Sequence, residues 1–245
     1  MMHLRDIEYK GIVFSSERVY YYRKAREKDV KEIADLYRGC AICRRNCREK
    51  LDKESQNSFE KTGGMYLIFG EEEIRRELHN PGSLWAVFLE KGKVAGSFWI
   101  AEENPMLEDG RIREYIGEEE PLIYPREIIV SPEYSGEMLG QLLFATAFQA
   151  LEENGFRYSL CDVYRTAAYT LDGIWKRVDL LNKPSYLNML SLGGRYQGTG
   201  DVREISLECL KVKIEPQIFL FSHKETLKLT KQLFTQKGIQ IYAEN

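Results

Sequence analysis

The sequence predicts an α/β fold in which helices flank a mixed β-sheet, with a β-α-β extension at the C-terminus. Three observations support this prediction. Residues 127–164 supply a strand, a glycine-bearing loop, an apolar helix and a second strand in succession, a unit whose two strands pair in parallel. Two predicted hairpins precede this unit and add antiparallel pairs, so the sheet is mixed. Hydrophobic residues make up 43% of the 245 residues, which is enough for a sizeable core.

The N-terminal region combines a hairpin with amphipathic helices. The runs 9–14 and 19–22 are rich in β-forming residues and flank a polar turn, which predicts a hairpin. Apolar residues recur at helical spacing over 30–37, after Asp29 as the expected N-cap. A second amphipathic helix is predicted over 65–78.

The central region supplies a second hairpin and the parallel unit. Strong β-formers on both sides of the Lys91–Gly92 turn predict a hairpin over 84–100. The acidic stretch 102–120 is expected to be a loop. A short strand at 127–130 leads to residues 139–151, which are apolar on most helical faces and therefore predict a buried helix.

The C-terminal region is less regular. Residues 165–181 are expected to form an irregular or helical insertion, and a helix with Asn182 as its N-cap follows. We assign residues 1–213 to the main domain, in which 1–18 is an N-terminal strand extension. Residues 214–245 form the C-terminal β-α-β extension.

The extension opens its helix with a predicted capping box of Ser222 and Glu225. The sequence leaves three arrangements open for this segment. The segment could extend the sheet, form a small second lobe, or pair across a homodimer.

The stretch from Glu127 to Leu143 carries the clearest chemical signal. A strand ends, a glycine-bearing turn follows and a helix begins at once, so the first helical amides have no partners inside the helix. With the helix dipole, these amides form a site for phosphate, and Gly136 and Gly140 let a ligand approach the backbone closely. The stretch contains neither G-x-x-x-x-G-K-[ST] nor G-x-G-x-x-G, which excludes two familiar nucleotide-binding loops.

This stretch resembles the signature of the GNAT superfamily of N-acetyltransferases, a strand ending in Val-x-Pro followed by Q/R-x-x-G-x-G/A and an apolar helix. The matching residues are Val130, Pro132, Tyr134, Gly140 and the pair Leu142–Leu143. The chain differs at Ser135, where Gln or Arg is usual, and at Met138, where the central Gly is usual. The elements before the signature also follow the family order, so the resemblance covers roughly residues 19–212.

A second family motif, N-x-x-[AS]-x-x-x-Y-x-x-x-G-F, is matched in part. Asn182, Ser185 and Gly193 agree with it, whereas Met189 replaces the Tyr and Gly194 replaces the Phe. The resemblance therefore rests on several partial motifs in the right order.

The resemblance implies a GNAT-like mixed, splayed sheet and acetyl-CoA as cosubstrate. The loop would bind the pyrophosphate of CoA through backbone amides, which here belong to Ser135, Gly136, Glu137, Met138, Leu139 and Gly140. The splayed strand would bind the pantetheine arm through the main chain of Ile128, Ile129 and Val130. Asn182 and Ser185 would lie near that arm.

Direct transfer of an acetyl group requires a neutral amine and protonation of the leaving thiolate. Glu127 is the candidate base, directly or through water, and a solvent-facing strand residue is the alternative interpretation. The family's acid is the tyrosine that methionine replaces here. Tyr186 and Tyr196 are the nearby substitutes, and Tyr164 and Tyr169 are less favoured.

The implied function is transfer of an acetyl group from acetyl-CoA to a primary amine of a small molecule, amino acid or peptide. A second hypothesis is a GNAT-like CoA-binding sensor or interaction domain with little or no turnover. The substitutions at Ser135, Met138, Met189 and Gly194 motivate it.

Charge and hydropathy limit the partners and the location. Thirty-five Lys and Arg against 38 Asp and Glu give a net charge of -3, so we expect no nucleic-acid or membrane partner. The first ten residues lack a signal-peptide pattern, and no apolar run approaches the ~18 residues of a membrane span. We therefore expect a cytoplasmic protein.

Three of the five cysteines cluster at Cys40, Cys43 and Cys47, with Arg44 and Arg45 between them. Neighbouring cations lower the pKa of a thiol. Unspecialised thiols, a redox-sensing cluster and a metal site stay open as interpretations. Because the histidines are scattered and complete no ligand set, no metal site is predicted.

Overall fold

The computed structural model describes residues 3–15, 17–41, 57, 59–61, 63–64, 69–104, 110–171, 173–206 and 211–243. Within them, the strands are β1 (Lys10–Phe14), β2 (Val19–Lys24), β3 (Ser83–Glu90), β4 (Lys93–Ala101), β5 (Leu122–Val130), β6 (Tyr158–Leu171), β7 (Ile174–Leu181), β8 (Arg195–Thr199), β9 (Arg203–Ser206), β10 (Lys211–Ser222) and β11 (Gln240–Ala243). The helices are α1 (Val30–Cys40), α2 (Glu71–His79), α3 (Gly110–Ile116), α4 (Leu139–Glu153), α5 (Lys183–Ser191) and α6 (His223–Gln236).

All the described strands belong to one eleven-stranded sheet in the order β11-β1-β2-β3-β4-β5-β6-β10-β8, with β7 on β6 and β9 on β10. Every pair is antiparallel except β5 with β6, which is parallel. The predicted mixed sheet with flanking helices is confirmed. Both predicted hairpins are confirmed as well, as β1–β2 and β3–β4.

Helix α1 begins at Val30, but Asp29 does not cap it as predicted. The Asp29 carboxylate accepts the backbone N–H of Arg26 at 2.7 Å and pairs with the guanidinium of Arg23 at 2.6 Å. Arg26 belongs to the short turn before the helix, and Arg23 belongs to β2. The carboxylate is therefore engaged N-terminal to the position at which a cap acts.

The two larger apolar clusters of the core lie one on each face of the sheet, and a smaller third cluster contains Ile112 and Leu160. Helix α4 lies on one face, with large buried side chains such as Phe144 and Phe148 packed against Phe221 of β10. Helices α1 and α2 cover the other face, where the stacked rings of Trp85 and Trp99 lie 4.9 Å apart. The prediction that residues 139–151 form a buried helix is confirmed.

The structure differs from the sequence prediction in three segments. Residues 165–181 form the paired ends of β6 and β7 rather than an irregular or helical insertion. β6 is paired along both edges, and such inner strands lose the apolar-polar alternation that sequence analysis relies on. The expected loop 102–120 contains α3 within its described part. The predicted capping box does not form: the Ser222 side chain makes no cap hydrogen bond, and the Glu225 carboxylate pairs with Arg195 at 2.8 Å.

The C-terminal segment supplies β11, the edge strand of the sheet next to β1. α6 packs on α4, and β11 pairs antiparallel with β1. The tail therefore extends the sheet. The boundary placed between residues 213 and 214 lies inside β10, which pairs with β6 over its whole length. No described helix combines the length and the apolarity needed to span a membrane.

Candidate functional site

A cleft opens where β5 and β6 separate. The two strands pair only at Leu122 with Tyr158 and at Ile123 with Ser159. Beyond that point a cavity of about 100 Å³ lies between them. It is lined by Phe59, Gly64, Pro125, Arg126, Glu127, Ile128, Phe144, Cys161, Asp162, Val163, Tyr164, Asn182, Ser185 and Met189. The cleft thus exposes one edge of β5 to a ligand.

The main chain of β5 alternates between its two neighbours. The Ser131 N–H donates to the Ala95 carbonyl on the β4 side at 2.9 Å. Because bonding groups alternate along an antiparallel pair, Ile129 also directs its N–H and C=O to β4. Ile128 and Val130 direct theirs to the cleft. Of the three residues predicted to bind the pantetheine arm, Ile128 and Val130 therefore direct main-chain groups to the cleft.

The turn before α4 leaves several amides without a partner. The N–H groups of Ser135 and Glu137 already donate to the carbonyls of Pro132 and Tyr134, each at 3.2 Å. Among the described residues, no acceptor pairs with the amides of Gly136, Met138, Leu139 and Gly140. These four amides retain the donors that a phosphate requires.

Met138 has a left-handed backbone conformation, with φ of 61°. Glycine adopts this conformation without penalty, and another residue pays roughly 1–2 kcal/mol. The turn keeps the backbone geometry that the family's central Gly allows, although the residue is different. Its amide precedes the first residue of α4 and completes the row of donors.

A buried network anchors this turn to the β1–β2 hairpin. The Glu137 carboxylate accepts hydrogen bonds from the Tyr20 hydroxyl at 2.7 Å and from Arg18 Nε at 2.8 Å. Arg18 also pairs with Glu90 at 2.9 Å, and this cation lowers the pKa of the Glu90 carboxyl. Tyr134 donates to the same carboxylate at 2.9 Å. Sequence analysis assigned only a backbone role to Glu137 and missed Arg18 and Glu90.

Two carboxyl groups line the cleft from opposite strands. Burial and the negative charge of Asp162 raise the pKa of Glu127 to about 8. Burial raises the pKa of Asp162 to about 7. Arg126 opposes both shifts. One Asp162 oxygen, Oδ2, is buried and has no hydrogen-bond partner among the described residues.

Asp162 was missed by sequence analysis, although a signal exists. It is the single charged residue in the apolar run from Leu160 to Val163. A carboxylate in such a strand carries an energetic cost that a functional site explains. Its partner Glu127, which the sequence did single out, lies across the cleft.

The tyrosines considered as the catalytic acid lie in different places. The Tyr186 ring packs against Phe219 of β10, with centroids 5.2 Å apart, and it does not line the cavity. Tyr196, the other nearby substitute, has its hydroxyl bonded to Gln217 at 3.0 Å. Tyr164 does line the cavity, and burial raises the pKa of its hydroxyl well above its usual value. The structure thus brings Tyr164, not Tyr186, to the two carboxyl groups.

Asn182 and Ser185 line the same cavity. The Asn182 side-chain oxygen accepts the Ser185 N–H at 3.2 Å, so Asn182 caps α5 as predicted. Its amide nitrogen donates to the Gly64 carbonyl at 3.3 Å. Met189, which replaces the family's tyrosine, is buried against the Cys161 thiol at 3.5 Å. α5 therefore forms one wall of the cleft, to which the polar Ser185 and the apolar Met189 both contribute.

The cysteine cluster lies largely outside the described residues, because Cys43 and Cys47 are not among them. The Cys40 thiol donates to the Val130 carbonyl at 3.5 Å, at the cleft edge of β5. In the part of the chain that the structure describes, no three His, Cys, Asp or Glu residues gather as a metal site.

The chain matches no known family profile and no curated protein. Solved structures do resemble it. RimJ of Mycobacterium smegmatis, solved in complex with CoA-disulfide, has a TM-score of 0.53 and 11% identity, over 94% of this chain and 96% of that one. An uncharacterized protein of Bacillus halodurans has a TM-score of 0.52 and 14% identity, over 95% of this chain and all of that one (100%).

An N-acetyltransferase of Staphylococcus aureus Mu50 has a TM-score of 0.50 and 14% identity, over 83% of this chain and 98% of that one. At such identities the similarity concerns the fold. The order of the strands, the single parallel pair and the helix that begins at the glycine-bearing turn agree with it. The chain has the fold of the GNAT N-acetyltransferases.

Proposed function

We propose that this chain is an acetyl-CoA-dependent N-acyltransferase that acetylates a primary amine of a small molecule, amino acid or peptide. One observation carries the proposal. Glu127 and Asp162 line the cleft from opposite strands, both with raised pKa values, and Tyr164 lies in the same cavity. Such a group of titratable side chains in a cleft is typical of proton-transfer chemistry.

The residues around the cleft fit a CoA thioester. The amides of Gly136, Met138, Leu139 and Gly140, which have no partner among the described residues, would hold the pyrophosphate. The cleft-facing main-chain groups of Ile128 and Val130 would bind the pantetheine arm. Bound there, the thioester supplies an acetyl group activated for transfer.

Proton transfer falls to the residues of the cleft. The acceptor enters as an ammonium ion, and Glu127 or Asp162 in its ionised form takes one proton and leaves a neutral amine. As the amine nitrogen forms its bond to the acetyl carbon, the carbon–sulfur bond breaks. The Tyr164 hydroxyl gives a proton to the departing sulfur, the nitrogen of the new amide loses its second proton to solvent, and the Tyr164 oxygen recovers a proton from solvent. The balance is an N-acetyl amine, free CoA thiol and one proton released.

The test measures thiol release from acetyl-CoA over a panel of primary amines. Glu127→Gln keeps the size of the side chain and removes the base, so we expect kcat to fall about 100-fold or more. Glu119→Gln, at an exposed position, is the matched control and should retain full activity. Equal activity of the Glu127 variant and the control would contradict the assignment of the base.

The second candidate function is a CoA-binding sensor without turnover. Burial of Met189 at the position of the family's tyrosine favours it, because a thioether donates no proton. Tight acetyl-CoA binding in calorimetry together with no thiol release from any amine would support this alternative. Absence of binding would exclude both functions.

A further inference from the structure

Arg126 lines the cleft and, among the described residues, has no ion-pair partner. Its guanidinium is half-buried and lies 4.4 Å from the centre of the Trp99 ring. Among the described residues, no side chain or carbonyl forms a hydrogen bond or ion pair with it. Arg23 of β2 and Arg18 of the turn before β2 both pair with carboxylates. A half-buried guanidinium that lines a cavity and has no partner is a binding group for an anion.

A β-bulge brings Arg126 to this position. The register between β4 and β5 shifts at this residue, since Trp99 pairs with Glu127 while Ile100 pairs with Pro125. Consecutive residues of a regular strand point to opposite faces, and a bulge removes that alternation. Arg126 and Glu127 therefore lie on the same face of the sheet as Trp99.

The charges around the cleft favour an acceptor that is not purely cationic. With the pKa of Glu127 at about 8 and that of Asp162 at about 7, the two carboxyl groups together retain at least one proton near neutral pH. Arg126 carries its full positive charge. The three groups therefore have no excess negative charge to attract a polyamine, and the guanidinium would repel a second ammonium group.

We infer that the acceptor is an α-amino acid, whose carboxylate pairs with Arg126 and whose amine meets Glu127 and Asp162. The two groups of the acceptor have to be close together, because Arg126 and Glu127 are consecutive residues on one face. The unpartnered Oδ2 of Asp162 receives an N–H of the amine. This inference rests on the proposed acetyltransferase function and names its substrate class.

The test compares each standard amino acid with its α-carboxamide as acceptor, measured as kcat/KM for thiol release from acetyl-CoA. The wild-type protein is expected to prefer the acid by about 10-fold to 100-fold, the range for a hydrogen bond between charged groups. Arg126→Gln should remove this preference by slowing the acids more than the carboxamides, since loss of the Arg126 charge also raises the pKa of Glu127 and Asp162 and slows both. Arg126→Lys, which keeps the charge without the planar fork, should restore part of it.

Arg157→Gln is the matched control, because Arg157 is exposed and meets Glu120 only at 3.9 Å. It should keep the wild-type preference. Calorimetry with acetyl-CoA shows whether Arg126→Gln is folded and retains the CoA site, and we expect an unchanged Kd.

Equal use of acids and amides by the wild-type protein would overturn the inference and leave the proposed function standing. A parallel loss of both acceptors in Arg126→Gln, with acetyl-CoA still bound, would also overturn it. If the wild-type protein binds no acetyl-CoA, that result would overturn both the proposed function and the inferred substrate class.

Discussion

Asp162 of β6 lies across the cleft from Glu127 of β5, and its negative charge contributes to raising the pKa of Glu127 to about 8. Neither residue's position in the chain implies this relationship. It arises because the parallel strands part after two residue pairs and leave two carboxyl groups facing one cavity.

The first prediction concerns the pH dependence of the reaction. The base acts when ionised, so kcat/KM should rise with pH and level off above an apparent pKa between 7 and 8 that belongs to the coupled pair. Asp162→Asn removes the repelling charge and should move this limb to lower pH. Asp179→Asn, at an exposed position, should leave the profile unchanged. A profile that Asp162→Asn does not shift would contradict the coupling.

The second prediction concerns the buried imidazole of His223. Its Nδ1 donates to the Phe156 carbonyl at 2.8 Å, and its Nε2 is hydrogen-bonded to the Ser159 hydroxyl at 2.7 Å. Burial lowers its pKa from 6.5 to about 4. The unfolded chain then binds more protons between these values. The His223 contribution to the free energy of unfolding should fall by about 3 kcal/mol as pH drops from 6.5 to 4, while Glu127 and Asp162, whose pKa values are raised, act in the opposite direction.

Urea unfolding at a series of pH values checks this result. His223→Gln should remove this contribution, so its free energy of unfolding should fall by about 3 kcal/mol less than that of the wild-type protein between pH 6.5 and 4, while it is lower at pH 7. If the free energy of unfolding of that variant falls as steeply toward pH 4 as that of the wild-type protein, groups other than His223 cause the loss.

The third prediction concerns the anchor of the phosphate loop. Arg18 joins Glu137 of the turn to Glu90 of β3, so Arg18→Gln should loosen the turn and leave two carboxylates close together. We expect the Kd for acetyl-CoA to rise about three-fold to ten-fold. Arg76→Gln, on an exposed face of α2, is the control for loss of an arginine. Unchanged CoA affinity in Arg18→Gln would show that the turn holds its shape without the network.

The fourth prediction concerns Gly140, the second residue of α4. A Cβ added there would lie 3.4 Å from the amide nitrogen of Asn188, a contact that a small shift relieves. Gly140→Ala should therefore keep or raise the stability of the helix, whereas Gly140→Val should raise the Kd for acetyl-CoA about ten-fold or more by crowding the amides. Calorimetry and thermal unfolding separate the two effects. Gly110→Ala, whose added Cβ meets nothing within 4 Å, is the control.

Local patterns in the sequence were sufficient to predict much of the fold. Alternating β-formers marked both hairpins, the apolar run 139–151 marked the buried helix, and Asn182 marked the start of α5. Each of these features depends on residues close together in the chain. The glycine-bearing turn before α4 was recognised for the same reason, although Met138 replaces a glycine there.

Other predictions failed because distant parts of the chain decide them. Residues 165–181 form strands, since β10 and β7 pair with β6 on both sides. Glu225 binds Arg195 instead of capping its helix. The role of Tyr186 as the acid stays a prediction; its ring packs on Phe219, because the rotation of α5 about its axis is determined by what it packs against.

The sequence by itself determined the order of elements, the parallel unit and the row of amides at the start of α4, all of which follow from local spacing and backbone chemistry. Only the tertiary structure decided which side chains meet in the cleft. Arg126, Asp162 and Tyr164 come together there through a bulge in β5 and the separation of β5 from β6. Their charges and pKa values depend on burial and on neighbours across the sheet, and a linear pattern contains neither.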